Sequence, residues 1–359
     1  MTLPRSSEAL DLKGLLPEQL RQLAVEMGEA AYRGDQLFAW VHGRGETCLE
    51  SMSNLPLRLR RSLAEAGARV TRLHLLERRD SGTGMAVKFI FGDGGGGQFE
   101  SVLILDGRRR TLCLSSQVGC PLDCSFCATG RMGFVRNLTA AQIVDQLLQV
   151  HASAAAEGLG RITNVVMMGM GEPLLNYDAV TTALRLIQRP GGASVGGRRI
   201  TVSTAGYLPG IRRLAEDNLN VGLAISLNAT TDEVREGLMP INRKWTIADL
   251  LEAARYYFDR QGRRVTFEYV LLRGVTDTEE DAVRLAELTA EVPCKINLIP
   301  YNELPPGDPE APVFRRPGRK RIEAFRRRLE SRTKRTVRLR ESRGRDIDAA
   351  CGQLYRRPT

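Results

Sequence analysis

From about residue 110 onward, short apolar segments alternate with segments of helical length, and this repetition restricts the possible folds more than any other feature of the sequence. The connections between successive apolar segments are too long for hairpins, so the strands must run parallel with right-handed crossovers. The six strand candidates are TLCLSS, TNVVMMG, RITVST, GLAISL, VTFEYVLL and KINLIP. The helix candidates between them are AAQIVDQLLQVHASAAA, NYDAVTTALRLIQ, PGIRRLAED, IADLLEAARYYFD and EEDAVRLAELTAEV.

Six strand-helix units are fewer than the eight that close a complete barrel. We therefore predict an α/β fold whose parallel sheet curves into a partial (β/α)6 barrel that stays open on one side. In parallel α/β folds the active site is built from the loops after the carboxyl ends of the strands. Catalytic and binding residues are expected at that edge.

The flanking segments predict smaller parts around this barrel. Residues 1–75 form a helical accessory domain, because apolar residues recur there at helical spacing. Residues 76–110 contain two alternating runs, MAVKFIF and QFESVLIL, joined by the glycine-rich DGGGG, and predict a β-hairpin extension. The barrel is then assigned to residues 111–340 and a C-terminal segment to residues 341–359.

The net charge of +10 and the pI of about 9.5 predict attraction to polyanions. The basic excess is densest from Arg315 to Arg345, where Ile322, Phe325 and Leu329 recur at helical spacing. Nucleic acid and membrane lipid are both possible partners for such a segment. A solvated surface helix packed on the core would explain it equally well.

Compartment and cysteine usage favour metal or redox chemistry over structural disulfides. No apolar run is long enough to cross a bilayer, and the start MTLPRSSEALDLKGLL lacks the features of a signal peptide. We therefore expect a cytoplasmic protein that does not contact membranes. In a reducing cytosol, a local group of thiols is typical of a metal or redox site. The seven cysteines are Cys48, Cys113, Cys120, Cys124, Cys127, Cys294 and Cys351.

Three of these thiols lie within CPLDCSFC, directly after the first predicted strand. A structural zinc site usually has four protein ligands, so Cys120, Cys124 and Cys127 alone would leave one position unfilled. Iron-sulfur clusters are also held by cysteine thiolates. If only three irons are bound by the protein, the fourth keeps an open position for a small molecule.

The CxxxCxxC spacing, with Phe126 before the last cysteine, resembles the radical S-adenosylmethionine superfamily. This resemblance implies a 4Fe-4S cluster ligated by Cys120, Cys124 and Cys127. It also implies that S-adenosylmethionine binds the open iron through its amino and carboxylate groups. Transfer of an electron from the cluster then yields a 5′-deoxyadenosyl radical.

Further segments match the cofactor-binding pattern of the superfamily. MGMGEPLLN resembles its GEP motif, and polar residues recur after the later strands. The resemblance implies that S-adenosylmethionine contacts Gly171, Glu172, Ser203, Ser226, Leu227, Asn228 and Asn302. Taken singly, serine and asparagine at strand ends are ordinary turn formers. The family usually has His-Ala-Pro where this chain has Asn228-Ala229-Thr230.

The resemblance is closest to the RlmN/Cfr family of RNA adenine methyltransferases, from YRGDQLFAWV to the C-terminus. It is carried by Cys113 in TLCLSSQVGC and by Cys351 in RGRDIDAACGQL. The RlmN-type activity methylates adenine carbon 2 in 23S rRNA, at the peptidyl transferase centre, and next to the anticodon of some tRNAs. Methylation at adenine carbon 8, or a non-catalytic iron-sulfur protein that binds RNA during assembly, remains an alternative.

The family chemistry assigns roles to three further residues. Cys351 accepts a methyl group from one S-adenosylmethionine, and a second S-adenosylmethionine converts it into a thiomethylene radical that adds to adenine. Glu100 matches the acid-base position and Cys113 the thiol that releases the product, leaving a disulfide. From the strand pattern alone, Glu100 would be an exposed carboxylate. A low-potential electron donor, a disulfide reductant and a monomeric state are also expected.

Overall fold

The computed structural model describes residues 10–92, 94–95, 97–304 and 313–354. Asp93 and Gly96 of the predicted glycine-rich hairpin tip therefore lie outside the described residues. Within these ranges, no helix has both the length and the apolar composition of a membrane span. Contacts group the chain into two compact units. The first comprises Met1–His74, Leu138–Ile162 and Asp178–Gly196, and the second comprises Leu75–Asn137, Thr163–Tyr177 and Gly197–Thr359.

The predicted helices form, most of them to within a few residues of the expected bounds. Three of them begin with a reciprocal capping box, in which a threonine and the residue three positions later bond each other's backbone. The α-helices are α1 Pro17–Glu26, α2 Tyr32–Phe38, α3 Leu57–Glu65, α4 Ala128–Arg131, α5 Ala140–Ala156, α6 Tyr177–Gln188, α7 Leu208–Glu216, α8 Asp232–Leu238, α9 Ile247–Gln261, α10 Glu279–Leu288 and α11 Arg319–Glu330.

The first unit is helical, as predicted for the N-terminal part of the chain. It also contains α5 and nearly all of α6, which follow the first two barrel strands in sequence. Helices α1 and α2 pack so closely that a Cβ at Gly34 would lie 2.3 Å from the backbone nitrogen of Arg21. Only glycine allows this approach, and it explains the glycine in YRGDQL.

A buried polar network joins separate segments of this unit. The Lys13 ammonium pairs with Asp145, and both side chains are about 2% exposed. The other carboxylate oxygen of Asp145 accepts hydrogen bonds from the Leu73 backbone at 2.7 Å and from Gln149 at 2.8 Å. Because a buried charge is tolerated only when it is paired and hydrogen-bonded, this network fixes how these segments pack.

His42 makes the stability of the first unit depend on pH. It is 4% exposed and stacks on Phe38, with ring centroids 4.5 Å apart. Burial, followed by the nearby Lys13 charge, lowers the pKa of His42 to about 3. Between that value and the ordinary 6.5, the unfolded chain binds more protons than the folded chain, so stability falls as the pH decreases through this window.

We expect the unfolding free energy of the wild-type protein to fall by about 1 kcal/mol more than that of His42→Gln between about pH 6 and about pH 5. Glutamine keeps a polar side chain but does not titrate. Urea unfolding at the two pH values measures the difference. Equal losses in the two proteins would contradict a neutral, buried His42.

The second unit is built on one sheet of ten strands, with a separate two-stranded sheet formed by β5 and β6. The order in the large sheet is β1-β2-β3-β4-β7-β8-β9-β10-β11-β12. The strands are β1 His74–Asp80, β2 Ala86–Gly92, β3 Gln98–Asp106, β4 Arg109–Cys113, β5 Gln117–Gly119, β6 Phe134–Asn137, β7 Asn164–Met167, β8 Ile200–Thr204, β9 Gly222–Ser226, β10 Val265–Leu271, β11 Cys294–Pro300 and β12 Thr336–Leu339.

The predicted partial barrel is confirmed. Strands β4 and β7 to β12 pair in parallel, and the predicted hairpin of β2 and β3 joins β4 in antiparallel fashion. Side chains from β4 and from β12, at the two ends of the parallel run, line one cavity. The sheet must therefore curve. Strands β1 and β12 are its two edges, so it does not close.

Six described strands and α-helices of the second unit were not predicted, namely β1, β5, β6, β12, α4 and α8. Strand β12 has the sequence TVRL, and its Arg338 points into the barrel cavity instead of into an apolar core. The apolar alternation that identifies a strand is therefore weak there. The predicted basic helix is confirmed as α11, whose Ile322, Phe325 and Leu329 are buried.

Candidate active site

The three clustered cysteines lie on the loop between β5 and α4. The loop is anchored at several points: Cys120 N–H donates to the Gly133 carbonyl at 2.9 Å, and Ser125 N–H donates to the Leu238 carbonyl at 3.0 Å. Gly119, just before the loop, has φ 75°. A Cβ there would lie 1.9 Å from the Gly133 oxygen. The turn into the loop therefore requires glycine.

All three thiols line one cavity of about 180 Å³. Burial raises the pKa of Cys120 to about 12, so binding iron there must displace a proton. In the described part of the chain, no three His, Cys, Asp or Glu side chains converge on a point where a single ion could bind. Three thiols around a shared space fit a cluster, in which each thiolate binds a different iron, better than a one-ion site.

Most residues predicted to contact the cofactor line this same cavity. Parallel strands place their carboxyl ends at one edge, and this brings together Gly171, Glu172, Ser203, Ser226, Asn228 and Asn302. Leu227 differs: its side chain is fully buried and does not line the cavity. Its backbone N–H donates to the Glu268 carbonyl at 3.0 Å.

Glu172 connects the loops after β7 and β8. One carboxylate oxygen accepts from the Leu174 backbone at 3.1 Å, and the other accepts from the Ala205 backbone at 2.8 Å. Burial raises the pKa of Glu172 to about 7. A Cβ at the neighbouring Gly171 would lie 2.5 Å from the Gln117 side chain. The GEP segment is thus fixed by close packing before any ligand is considered.

Asn228, which departs from the family pattern, has its side chain engaged within the protein. Its Oδ1 accepts from the Val270 backbone at 3.1 Å, and its Nδ2 lies 3.3 Å from the Met239 sulfur. Its backbone is left-handed, with φ 59°, a conformation that asparagine tolerates well. Asn228 therefore supports the start of the next loop while lining the cavity.

Arg235 on α8, which we did not predict, holds the strand ends together. It is fully buried, and it donates to the carbonyls of Leu227 at 3.0 Å and Ala205 at 2.7 Å. Burial lowers its pKa to about 10. Nothing in the sequence marked this arginine, because its partners, two backbone carbonyls and the Asn242 side chain, are brought together only by the fold.

The C-terminal segment is fastened beside the cysteine loop and brings Cys351 to the cavity. Asn302 Nδ2 donates to the Cys351 carbonyl at 3.1 Å, and Ala128 N–H donates to the Gly352 carbonyl at 2.8 Å. Asn302 Oδ1 is buried and has no hydrogen-bond partner among the described residues. A buried acceptor of this kind fits a ligand that brings its own N–H or O–H donor.

Cys351 also lines a second, larger cavity of about 710 Å³ inside the barrel. Cys113, the last residue of β4, lines this larger cavity as well. Burial, reinforced by Cys351, raises the pKa of Cys113 to about 12. The structure thus places the two predicted reactive thiols in one space, and both are free thiols.

Two charged residues that we did not predict, Arg340 and Glu268, line both cavities next to Cys351. Their closest charged atoms are 4.0 Å apart. The pKa of Arg340 is raised, first by Cys351 and then by Glu268 and Cys113. A guanidinium so placed stabilises negative charge on either sulfur. Glu268 lies in the middle of β10 and Arg340 directly follows β12, so their positions in the sequence do not show that they share a cavity.

Glu100 is not an exposed strand carboxylate, so that alternative is wrong. It is 2% exposed on β3, and its Oε1 lies 3.1 Å from the Lys88 ammonium on β2. Lys88 also donates to the Asp348 carbonyl at 3.2 Å, in the segment that carries Cys351. Glu100 lines neither of the two cavities.

Comparison with known proteins gives the same assignment. A radical SAM superfamily model matches residues 114–286, and a model of the ribosomal RNA large subunit methyltransferase N-terminal domain matches residues 10–68. A probable dual-specificity RNA methyltransferase RlmN from Moorella thermoacetica is 46% identical, over 96% of this chain and 97% of the relative. A dual-specificity RNA methyltransferase RlmN from an Anaeromyxobacter species is 45% identical, over 98% of this chain and 92% of the relative.

A solved structure agrees over nearly the whole chain. The crystal structure of a radical SAM methyltransferase from Sphaerobacter thermophilus superimposes with a TM-score of 0.89 at 41% identity. The match covers 96% of this chain and 99% of that one. The family implies a 4Fe-4S cluster and S-adenosylmethionine, which fit the three-thiol cavity. The chain therefore belongs to the RlmN family of radical S-adenosylmethionine RNA methyltransferases.

Proposed function

We propose that this protein methylates carbon 2 of an adenine in 23S rRNA and of the adenine next to the anticodon in some tRNAs. Two S-adenosylmethionine molecules are used in each turnover. The observation that carries the proposal is the position of Cys351, which lines both the three-thiol cavity and the barrel cavity that contains Cys113. A methyl carrier must reach both the radical source and the release thiol, and this position meets both demands.

Cys120, Cys124 and Cys127 would hold the cluster, and the polar rim of the same cavity would hold S-adenosylmethionine. That rim comprises Gly171, Glu172, Ser203, Ser226, Asn228 and Asn302, with Leu227 contributing through its backbone. When bound, the cluster and S-adenosylmethionine supply the one-electron chemistry that makes a carbon radical from the S-methyl group of Cys351. Asn302 orients the Cys351 backbone, and its buried Oδ1, which has no hydrogen-bond partner among the described residues, would accept a hydrogen bond from the cofactor.

Cys351 acts first as the nucleophile that accepts the methyl group, because an electron-poor ring carbon does not attack a sulfonium methyl directly. Arg340 lines both cavities beside the Cys351 sulfur at which this step takes place. The methylene carbon would then join the protein sulfur to the adenine. The adduct would give up its unpaired electron, which balances the one consumed in cleaving S-adenosylmethionine, and lose the proton on the ring carbon. Cys113 attacks the Cys351 sulfur, the carbon–sulfur bond breaks, and the carbon keeps the electron pair and takes up a proton. A cellular reductant then reduces the resulting disulfide.

Glu100 is proposed to take part in removal of the ring proton. Lys88 holds its carboxylate beside the segment that carries Cys351. Glu100 does not line the cavity in this structure, so its contact with the substrate requires either a shift of that segment or a relayed proton. A low-potential electron donor completes the proposed set of partners.

Anaerobic turnover with methyl-labelled S-adenosylmethionine tests the proposal. Reconstituted enzyme, reductant and fragments of ribosomal and transfer RNA are expected to yield 5′-deoxyadenosine together with label on adenine carbon 2, located by mass spectrometry of the digested RNA. Label on carbon 8 would assign the alternative methylation. Enzyme with a full complement of iron and sulfide that forms no 5′-deoxyadenosine with RNA would overturn the proposal.

A further inference from the structure

The barrel cavity is open because its inward positions carry small or polar side chains. A complete barrel normally fills its interior with layers of branched apolar residues. Here the inward positions of adjacent strands include Thr201, Gly222, Ala224, Thr266 and Asn297. The resulting volume of about 710 Å³ falls in the range of pockets that hold small organic ligands. The interior is thus shaped to admit a guest of nucleotide size.

The charge of this cavity is strongly unbalanced. Nine arginine or lysine side chains line it, against three aspartate or glutamate side chains. Many of the basic residues lie at the amino ends of strands: Arg199 precedes β8, Arg264 precedes β10, and Lys295 lies at the start of β11. Arg338 on β12 completes the rim. We call Arg199, Arg264, Lys295 and Arg338 the basic rim. The first three lie at the end of the strands opposite the cysteine loop, and Arg338 lies further along its strand, in register with Asn297.

The basic rim is not neutralised by the protein. Two other arginines that line the cavity have acidic neighbours, Arg340 with Glu268 at 4.0 Å and Arg343 with Asp106 at 3.9 Å. Among the described residues, no carboxylate lies within ion-pair distance of Arg264, Lys295 or Arg338. Burial, together with the charges of Arg264, Arg338 and Arg263, lowers the pKa of Lys295. Crowded like charges of this kind are relieved by a bound anion.

The inner end of the cavity carries a hydrogen-bond acceptor instead. Glu268 is 5% exposed, and its Oε1 accepts from Asn297 at 2.9 Å. Its Oε2 is buried without a hydrogen-bond partner in the described part of the chain. The exocyclic amino group of adenine can donate a hydrogen bond to a carboxylate oxygen. Glu268 lines both cavities beside Cys351, where the base must arrive.

We infer that single-stranded RNA approaches the amino-end mouth of the barrel, where the basic rim binds its phosphates, and that the unstacked adenine fills the barrel cavity with its amino group on Glu268. This inference rests on the proposed function, because it takes an RNA adenine as the substrate. To that function the inference adds the route by which RNA enters and the side chain, Glu268, that recognises the base. It also assigns phosphate binding to the basic rim of the barrel cavity, and not primarily to the basic helix α11.

A matched pair of triple variants tests the phosphate contacts. The rim variant is Arg264→Ala, Lys295→Ala and Arg338→Ala. The control variant removes the same charge from the exposed face of α11: Arg319→Ala, Lys320→Ala and Arg327→Ala. Affinity for a fluorescein-labelled anticodon stem-loop is measured by anisotropy at several salt concentrations, without S-adenosylmethionine or reductant. Loss of three phosphate contacts should weaken binding at least about tenfold. It should also reduce the salt slope, the slope of log affinity against log salt concentration, by about 2.

The control is expected to change the affinity less than about threefold, since its charges lie on the exposed face of α11 and do not line the cavity. An unchanged rim variant, or equal losses in the two variants, would overturn the inference. The inference would also be overturned if the rim variant kept its affinity for RNA and lost affinity only for phosphatidylserine vesicles. If the triple variant does not fold, the single variant Lys295→Met must still lower the salt slope. If wild-type enzyme binds RNA through the basic rim but transfers no labelled methyl group, the proposed function is wrong and the proposed entry route still holds.

A second variant tests whether the base occupies the cavity. Thr266 points into the barrel cavity and does not line the three-thiol cavity. Wild-type protein should bind the stem-loop about tenfold more tightly than the same RNA with an abasic site at the target, the scale of one stacked base. Thr266→Phe fills the cavity and should abolish this difference. A difference that persists in Thr266→Phe would place the base elsewhere.

Discussion

Cys351→Ala is expected to abolish RNA methylation. The thiolate is the proposed carrier of the methyl group, and removal of a covalent nucleophile typically costs on the order of 10⁶-fold in rate. The variant should fold normally, because Cys351 is held through its backbone, by Asn302 and through the neighbouring Gly352. Turnover with methyl-labelled S-adenosylmethionine and mass spectrometry of the C-terminal peptide measure the effect: wild-type protein carries a methyl group on Cys351, and the variant carries none.

Cys48→Ala is the matched control. Cys48 is exposed, lies in the first unit and lines neither cavity, so its loss should leave methylation unchanged. Cys113→Ala should behave differently from both. The carbon–sulfur bond can form but cannot be broken by the second thiol, so RNA should remain attached to the protein on a denaturing gel. Full methylation by Cys351→Ala would refute the role of a methyl carrier.

Cys124→Ala is expected to remove the iron-sulfur cluster and every activity that depends on it. Two thiols cannot supply the three protein ligands that the proposed site requires. Iron and sulfide content after anaerobic reconstitution should fall close to zero, together with the brown absorbance. The variant should form no 5′-deoxyadenosine, with or without RNA.

Cys351→Ala provides the control for this loss. It also removes a thiol that lines the three-thiol cavity, yet it should keep its iron, because Cys351 is not among the proposed ligands. A Cys124→Ala protein with normal iron and absorbance would contradict the assignment of Cys120, Cys124 and Cys127. Equal iron loss in the two variants would show that the cluster depends on the whole cavity and not on three ligands.

Much of the site could be predicted from local sequence because its residues lie at recognisable positions in the chain. The three cysteines are close together in one loop, and Ser203 and Ser226 each lie at the carboxyl end of a mostly apolar strand. The environment of Glu100 could not be predicted in this way. It depends on Lys88, which lies on the neighbouring strand, and on the segment around Asp348. The pattern of β3 alone indicated an exposed carboxylate, which is wrong.

The residues that we missed share one physical property: they point into a cavity. Arg340, Glu268 and Arg338 occupy inward positions that are apolar in a packed barrel, so the alternation that marks a strand is absent or misleading around them. Helix periodicity likewise located α5 and α6 but could not show that they belong mainly to the first compact unit. Periodicity reports which face of an element is buried, and not which partner covers it.

The sequence by itself determined the strand-helix repetition, the three-thiol loop and the order of polar residues along the strand ends. These depend on neighbours within a few residues, where spacing and side-chain chemistry are sufficient. Other features appear only in the folded protein: Cys351 and Cys113 line one cavity, Asn302 bonds the backbone of a residue 49 positions away, and the barrel interior is open and basic. Those features arise when the sheet curves and brings distant strands around one space.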